Sequence, residues 1–176
     1  MRMADGGYRP AYNGLLAADA TSQIIVGVEV TTQATEHGQI EPMREQLERR
    51  YGVSPGAMLV DGGFVSLADI DAVERVGCRV YAPVMRRPRA ARPRDRRRHR
   101  YDTPATMRWR RRMTTPGAQR LYRLRAATAE CIHAIARNRG LDKFRVRGRL
   151  KARAILLWYA LAHNAIRALS LRAAPA

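Results

Sequence analysis

Residues 57–84 read AMLVDGGFVSLADIDAVERVGCRVYAPV, and the order of signals in this stretch decides the fold class. Ala57 to Val60 is a short apolar run closed by turn residues, the pattern of a buried strand. Asp61 stands where that strand ends, and Gly62 and Gly63 leave a backbone beside it with no side chains in the way. Ser66 then caps a short helix over 67–76, with Asp69 three residues on in a capping-box arrangement. Gly77 closes that helix, and 78–84 reads as a second strand. Strand, turn, helix, strand is α/β alternation, which implies a mixed sheet with helices packed against it. Asp61 has two readings at this point. It opens a turn by bonding its own backbone, or it is a carboxylate displayed at a strand end.

Working outward towards the N-terminus, 12–17 and 23–30 read as strands, and the turn chemistry of 18–22 joins them as a hairpin. Thr35 is placed to cap a helix over 37–51, where Ile40, Met43, Leu47 and Tyr51 fall on one face. Gly52 and Pro55 end it. Towards the C-terminus the composition changes abruptly. Residues 86–100 read RRPRAARPRDRRRHR, with nine arginines and one aspartate. Two prolines and self-repelling charge predict a solvated basic segment. Beyond it, 118–139 reads as one long helix with Leu121, Leu124, Thr128, Cys131 and Ile135 along one side, and 148–171 as a last, core helix. His163 in that helix is expected to be a satisfied helical histidine. The predicted organisation is an α/β part over 1–85, an arginine-rich linker or insertion over 86–115, and C-terminal helices over 116–176.

At 176 residues and 46% hydrophobic content, the chain is long enough to bury a core. The net charge of +18 and a pI near 11.4 are the footprint of a polyanionic partner, with nucleic acid the first candidate. Cys78 and Cys131 lie far apart without CxxC spacing, which suggests neither a disulfide framework nor a zinc site. The first residues show no apolar signal-peptide core. The longest uninterrupted apolar stretch, 155–162, falls well short of the roughly 20 residues a membrane span needs. The expectation is a soluble intracellular protein with no membrane partner.

Two acids stand out as candidates for chemistry at phosphate. Uninterrupted α geometry advances about 100° per residue, so Arg123, Glu130 and Arg137, spaced by seven, line up on one face of the long helix. That places one acid between two guanidiniums suited to phosphate, or it is a solvated polar stripe. Asp61 and Glu130 together supply two of the carboxylates with which phosphoryl-transfer sites clamp a pair of divalent ions. Magnesium takes hard oxygen ligands and keeps several waters. A third acid is needed, and Asp5, Asp19 and Glu29 are the candidates. None has a convincing context, because Asp19 reads as turn chemistry, Glu29 alternates within a strand and Asp5 lies near the start of the chain.

The chain resembles bacterial insertion-sequence transposases of the DDE type, in their C-terminal portion. The pieces that carry the resemblance are ADGGYRPAYNGLLAADATSQIIVGVEVT, GQIEPM, LVDGGFVSLADID, CRVYAPV, YRLRAATAECIHAIARNRGL, FRVRG and LWYALAHN. They cover nearly the whole chain outside the arginine-rich segment. The resemblance implies a ribonuclease-H-like mixed sheet with flanking helices, incomplete at its N-terminal side, plus C-terminal helices. It implies Asp61 and Glu130 as second and third catalytic acids holding Mg²⁺ or Mn²⁺. Arg123, Arg125 and Arg137 would bind DNA phosphates, and Arg96, Arg97 and Arg98 belong to the basic arm.

The family signature spaces Tyr, Arg, Glu and Lys by two, three and six residues. Tyr122 and Arg125 fit its start, Glu130 follows after four residues instead of three, and Arg137 takes the Lys position. The first catalytic Asp of such enzymes lies upstream of ADGGYRPAYN, so the expectation is a fragment, inactive alone, acting on transposon ends and target DNA. A homo-oligomer or a missing N-terminal portion would be its partner, in the bacterial cytoplasm and nucleoid. The alternative is a non-enzymatic, basic nucleic-acid-binding protein in which both acids are structural.

Overall fold

The computed structural model describes residue 7, residues 11–84 and residues 102–173. Asp5 and the arginines 86–100, Arg96, Arg97 and Arg98 among them, lie outside the described residues. The elements in chain order are β1 (Asn13–Ala18), β2 (Ile25–Thr31), α1 (Ile40–Tyr51), β3 (Ala57–Leu59), a 3₁₀ turn (Gly62–Phe64), α2 (Leu67–Arg75), β4 (Arg79–Tyr81), α3 (Pro104–Met113), α4 (Pro116–Arg125), a π-helical turn (Ala126–Glu130), α5 (Cys131–Asn138) and α6 (Arg149–Ala173). They form two compact units. One combines residues 1–34 with 124–176, the other is residues 35–123, and the boundary falls within α4.

In the first unit β1 and β2 pair antiparallel from Asn13↔Thr31 to Ala17↔Gly27, with a register shift at Ala18. The hairpin turn is built as its sequence predicts. The Asp19 carboxylate accepts from the backbone N–H of Thr21 (3.2 Å) and Ser22 (2.7 Å) and from the Ser22 hydroxyl (2.7 Å). Gln23 takes a left-handed backbone conformation, φ 59°, and α6 holds it there. His163 Nε2 bonds the Gln23 carbonyl at 3.0 Å, and Arg167 donates to the Ser22 carbonyl at 2.7 Å.

The core of this unit is Ile25, Val28 and Val30 of β2 against Ile132 of α5 and Ala152, Leu156 and Ala160 of α6. The small residues at 152 and 160 let α6 lie close to the strand. Gly14 serves the same approach, since a Cβ there would stand 2.9 Å from Leu156 Cδ1. α6 spans 25 residues and on length and composition alone is apolar enough to cross a membrane. One narrow face, with Ala152, Leu156, Ala160 and His163, is buried, and the bonds of His163, Asn164 and Arg167 hold the helix on the hairpin. Trp158, Leu161 and Leu169 are exposed, so only part of the expected core helix is core.

In the second unit, β3, α2 and β4 form the predicted strand–helix–strand, and the two strands pair parallel with Ala57↔Arg79 to Leu59↔Tyr81 in register. Ile40, Ile70, Val73, Cys78, Val80, Ala82 and Trp109 make its core. The strands are shorter than expected. β4 stops at Tyr81 instead of continuing to 84, where Pro83 has no N–H to donate. The mixed α/β character holds, but the described strands form two separate two-stranded sheets, one antiparallel and one parallel, and not one mixed sheet.

Four local expectations need correction. α1 begins at Ile40, and neither Thr35 nor the residue before it caps it by side chain. The cap comes from Asp69, whose carboxylate accepts from Ile40 N (2.8 Å) and Glu41 N (2.9 Å). Ser66 does cap α2, but the Asp69 carboxylate is spent on α1, so only the serine half of the expected box forms. The helix expected over 118–139 is three segments, with the π turn between α4 and α5. Part of the stretch read as linker or insertion is α3. A Thr103/Thr106 capping box and Pro104 start it, and Ala105 and Trp109 bury one face.

Candidate functional site

Asp61 sits two residues past β3, as the N-cap of the 3₁₀ turn, and its carboxylate accepts from Gly63 N at 2.8 Å. Locally this is the turn-opening reading of the residue. The paired glycines have a second consequence. A Cβ on Gly63 would stand 2.7 Å from Glu36 Oε2 and 3.1 Å from Asp61 Oδ1. Gly63 is therefore where two carboxylates come together. Glu36 was not among the sequence candidates, and nothing in its local pattern distinguishes it; it precedes α1 by four residues.

Glu130 closes the π turn, exposed, and its Oε1 takes an ion pair from Arg125 at 2.6 Å. The expected alignment of Arg123, Glu130 and Arg137 assumed unbroken α geometry. The π turn removes that assumption between Arg123 and Glu130, and the guanidinium that meets the acid is Arg125. Between Glu130 and Arg137 the helix is regular α5, and seven residues still bring them nearly into line. A π turn leaves a backbone carbonyl outside the i→i+4 ladder, and here Ala127 O accepts from Gln23 Nε2 at 3.0 Å. Thr128, buried, returns its hydroxyl to the carbonyls of Leu124 (3.0 Å) and Arg125 (3.3 Å).

The candidates for a third acid are placed as follows. Asp19 spends one carboxylate oxygen on its own turn, and hydrogen bonds from Ser22, backbone first and then hydroxyl, hold its carboxyl below the ordinary value. Glu29 lies on β2, where its carboxylate accepts from Val30 N at 2.9 Å and has Arg153 at 4.0 Å. Asp61 belongs to the second unit, while Asp19, Glu29 and Glu130 belong to the first.

The donors are hard carboxylate oxygens, the right chemistry for magnesium. Among the described residues, however, no three His, Cys, Asp or Glu side chains gather as a metal site. The set is right in kind and incomplete in number, so no reaction step is derived through a metal.

Compared with known proteins, the chain matches one family model, described as the transposase DDE domain, over residues 2–165. No curated protein and no solved structure matches it.

Proposed function

The chain belongs to the transposase DDE domain family, and on that premise we propose that it supplies part of the catalytic centre for phosphodiester cleavage and strand transfer in DNA transposition. The match over residues 2–165 carries this reading, because it spans both Asp61 and Glu130. DDE transposase domains generally act on DNA with a divalent metal. In this reading Asp61 and Glu130 are the carboxylates that hold it, as Mg²⁺ or Mn²⁺, and the bound ion supplies Lewis-acid stabilisation of phosphate charge. Arg123 and Arg137 steady DNA phosphates, while Arg125 orients Glu130 through the ion pair and is available to phosphate when DNA arrives. Arg96, Arg97 and Arg98 contribute a salt-sensitive contact to the DNA backbone. The fold this reading implies is ribonuclease-H-like. Transposon ends and target are the substrates, in the bacterial cytoplasm, with a homo-oligomer as the working form.

A second reading has its own support. Asp61 bonded to Gly63 N and Glu130 paired to Arg125 are also what two structural carboxylates look like. In that case the protein is a non-enzymatic, basic nucleic-acid-binding module.

Mn²⁺ titration followed by electron paramagnetic resonance separates the two. The transposase reading expects a weak site lost in both Asp61→Asn and Glu130→Gln, with circular dichroism unchanged. A site that survives both substitutions, or no site at all, favours the binding module. Mg²⁺-dependent strand cleavage that is lost in both variants would support the transposase reading.

A further inference from the structure

The loop that joins α5 to α6 is anchored on one side and charged on the other. Phe144 and Val146 pack against the core of the first unit, and Leu141 joins them. Phe144 meets Tyr12 edge-on, with ring centroids 6.2 Å apart, and the Tyr12 hydroxyl accepts from Gly148 N at 2.8 Å. The loop therefore alternates inward and outward, and the residues between the anchors face solvent. Arg139, Lys143, Arg145, Arg147 and Arg149 are all exposed, and Asp142 is the one acid among them. No ion pair among the described residues neutralises these five cations. Gly140 and Gly148, with φ of 84° and 97°, turn the chain at the two ends in a conformation that side chains resist.

A run of unpaired cations costs stability through self-repulsion unless a polyanion meets it. Here the backbone that carries the run is fixed by aromatic and aliphatic anchors, which lowers the ordering cost of binding. We propose that this loop is a phosphate-binding ridge for the DNA backbone, with Arg145 and Arg147 as its central contacts. It is separate from the arginines already assigned to DNA and rests on the reading of the protein as DNA-acting. The contacts are to backbone phosphate, so they position the nucleic acid without reading its sequence.

The test compares two pairs of substitutions that remove the same charge from the full chain. One is Arg145→Gln with Arg147→Gln. The other is Arg79→Gln with Arg172→Gln, both exposed and distant in sequence from the loop. Binding to a duplex oligonucleotide is followed by fluorescence anisotropy across a salt series. Each lost phosphate contact lowers the slope of log K against log salt by about 0.9, so the ridge pair should lower it by about 1.8 and the control pair by much less.

Equal slopes in the two double variants, with DNA binding retained in the parent, would overturn the ridge and leave the transposase reading standing. A parent chain that fails to bind duplex DNA would overturn both. A ridge effect on an RNA duplex with none on DNA would also overturn the proposal. Unchanged circular dichroism is expected in every variant, since none of the four side chains enters a core.

Discussion

Deleting Ala126 should leave the Arg125–Glu130 pair intact. An α-helix advances about 100° per residue, so residues five apart stand about 140° from each other, on nearly opposite sides. The observed contact of 2.6 Å is therefore possible only because the turn Ala126–Glu130 is π-helical and closes in five residues. Removing one residue lets the segment relax to α geometry, where positions four apart differ by about 40° and remain neighbours. Ala126 is the residue to remove, being exposed and without a side chain that bonds anything.

The energetics can be bounded. With Glu130 57% exposed, the pair is a surface ion pair, worth about 0.5 kcal/mol. The deletion returns the odd carbonyl to the helix ladder and takes it from Gln23, a loss of about 1 kcal/mol that regained α geometry offsets. Net stability should thus move by no more than about 1 kcal/mol. A double-mutant cycle with Arg125→Gln and Glu130→Gln, by urea denaturation, should give the same coupling of about 0.5 kcal/mol with and without the deletion. Inserting an alanine after Ala126 should abolish it. Loss of coupling on deletion with helicity retained, or survival of coupling on insertion, would refute the phase argument.

Two further outcomes follow from the second unit. Asp69→Ala removes a buried carboxylate that accepts two N–H groups at the start of α1; chemical denaturation should show a loss of about 2 kcal/mol, at the upper end for a helix cap, and a loss below half a kcal/mol would show that α1 needs no cap from there. Burial pushes the Cys78 thiol up to about 11 from an ordinary 9.0. The neutral thiol is therefore the folded form, and stability should be constant below about pH 9 and fall towards pH 11 as the unfolded chain ionises first. Titration of Cys78→Ala under the same denaturant series should flatten that decline.

What the sequence made legible was local. The hairpin was readable because Asp19 and Ser22 carry its turn chemistry within four residues. The β3–α2–β4 unit was readable because apolar runs, Ser66 and Gly77 punctuate it in order. The cap of α1 was not, because Asp69 reaches it from 29 residues away, and Ser66 three residues before Asp69 offered a nearer use for the same carboxylate. α3 was hidden by its own arginines. Its apolar positions, Ala105, Trp109 and Met113, repeat at four-residue spacing, but five of the six residues between them are polar or charged and read as more basic linker. The extra residue between Arg125 and Glu130 was plain in the motif spacing. Its consequence was not, since spacing records an insertion without saying whether the helix breaks, shifts phase or bulges to absorb it. Glu36 lay out of reach altogether, because only the fold of the Asp61 turn brings it to Gly63.

The small sheets are explained by how their edges are closed. At β2, Asn164 of α6 accepts from Ile25 N at 2.7 Å and donates to Ile25 O at 2.8 Å, satisfying both backbone groups as a neighbouring strand would. At β4, two side chains share the same task. Glu74 accepts from Val80 N at 2.8 Å and Arg112 donates to Val80 O at 2.9 Å, with the two charges paired to each other and the guanidinium stacked 5.1 Å over the Tyr81 ring. An open edge invites another strand, and here helix side chains have taken the bonds that strand would make. A strand added beyond β2 at Ile25 or beyond β4 at Val80 would have to displace Asn164 or break a buried ion pair, at a cost of several kcal/mol for the latter. Growth of either sheet is thus confined to the opposite edges, along β1 and along β3. Those are also the strands that lead, at their C-terminal ends, into the Asp19 turn and, two residues past β3, to Asp61, so of the two acids proposed for chemistry one follows directly from an edge left for sheet growth.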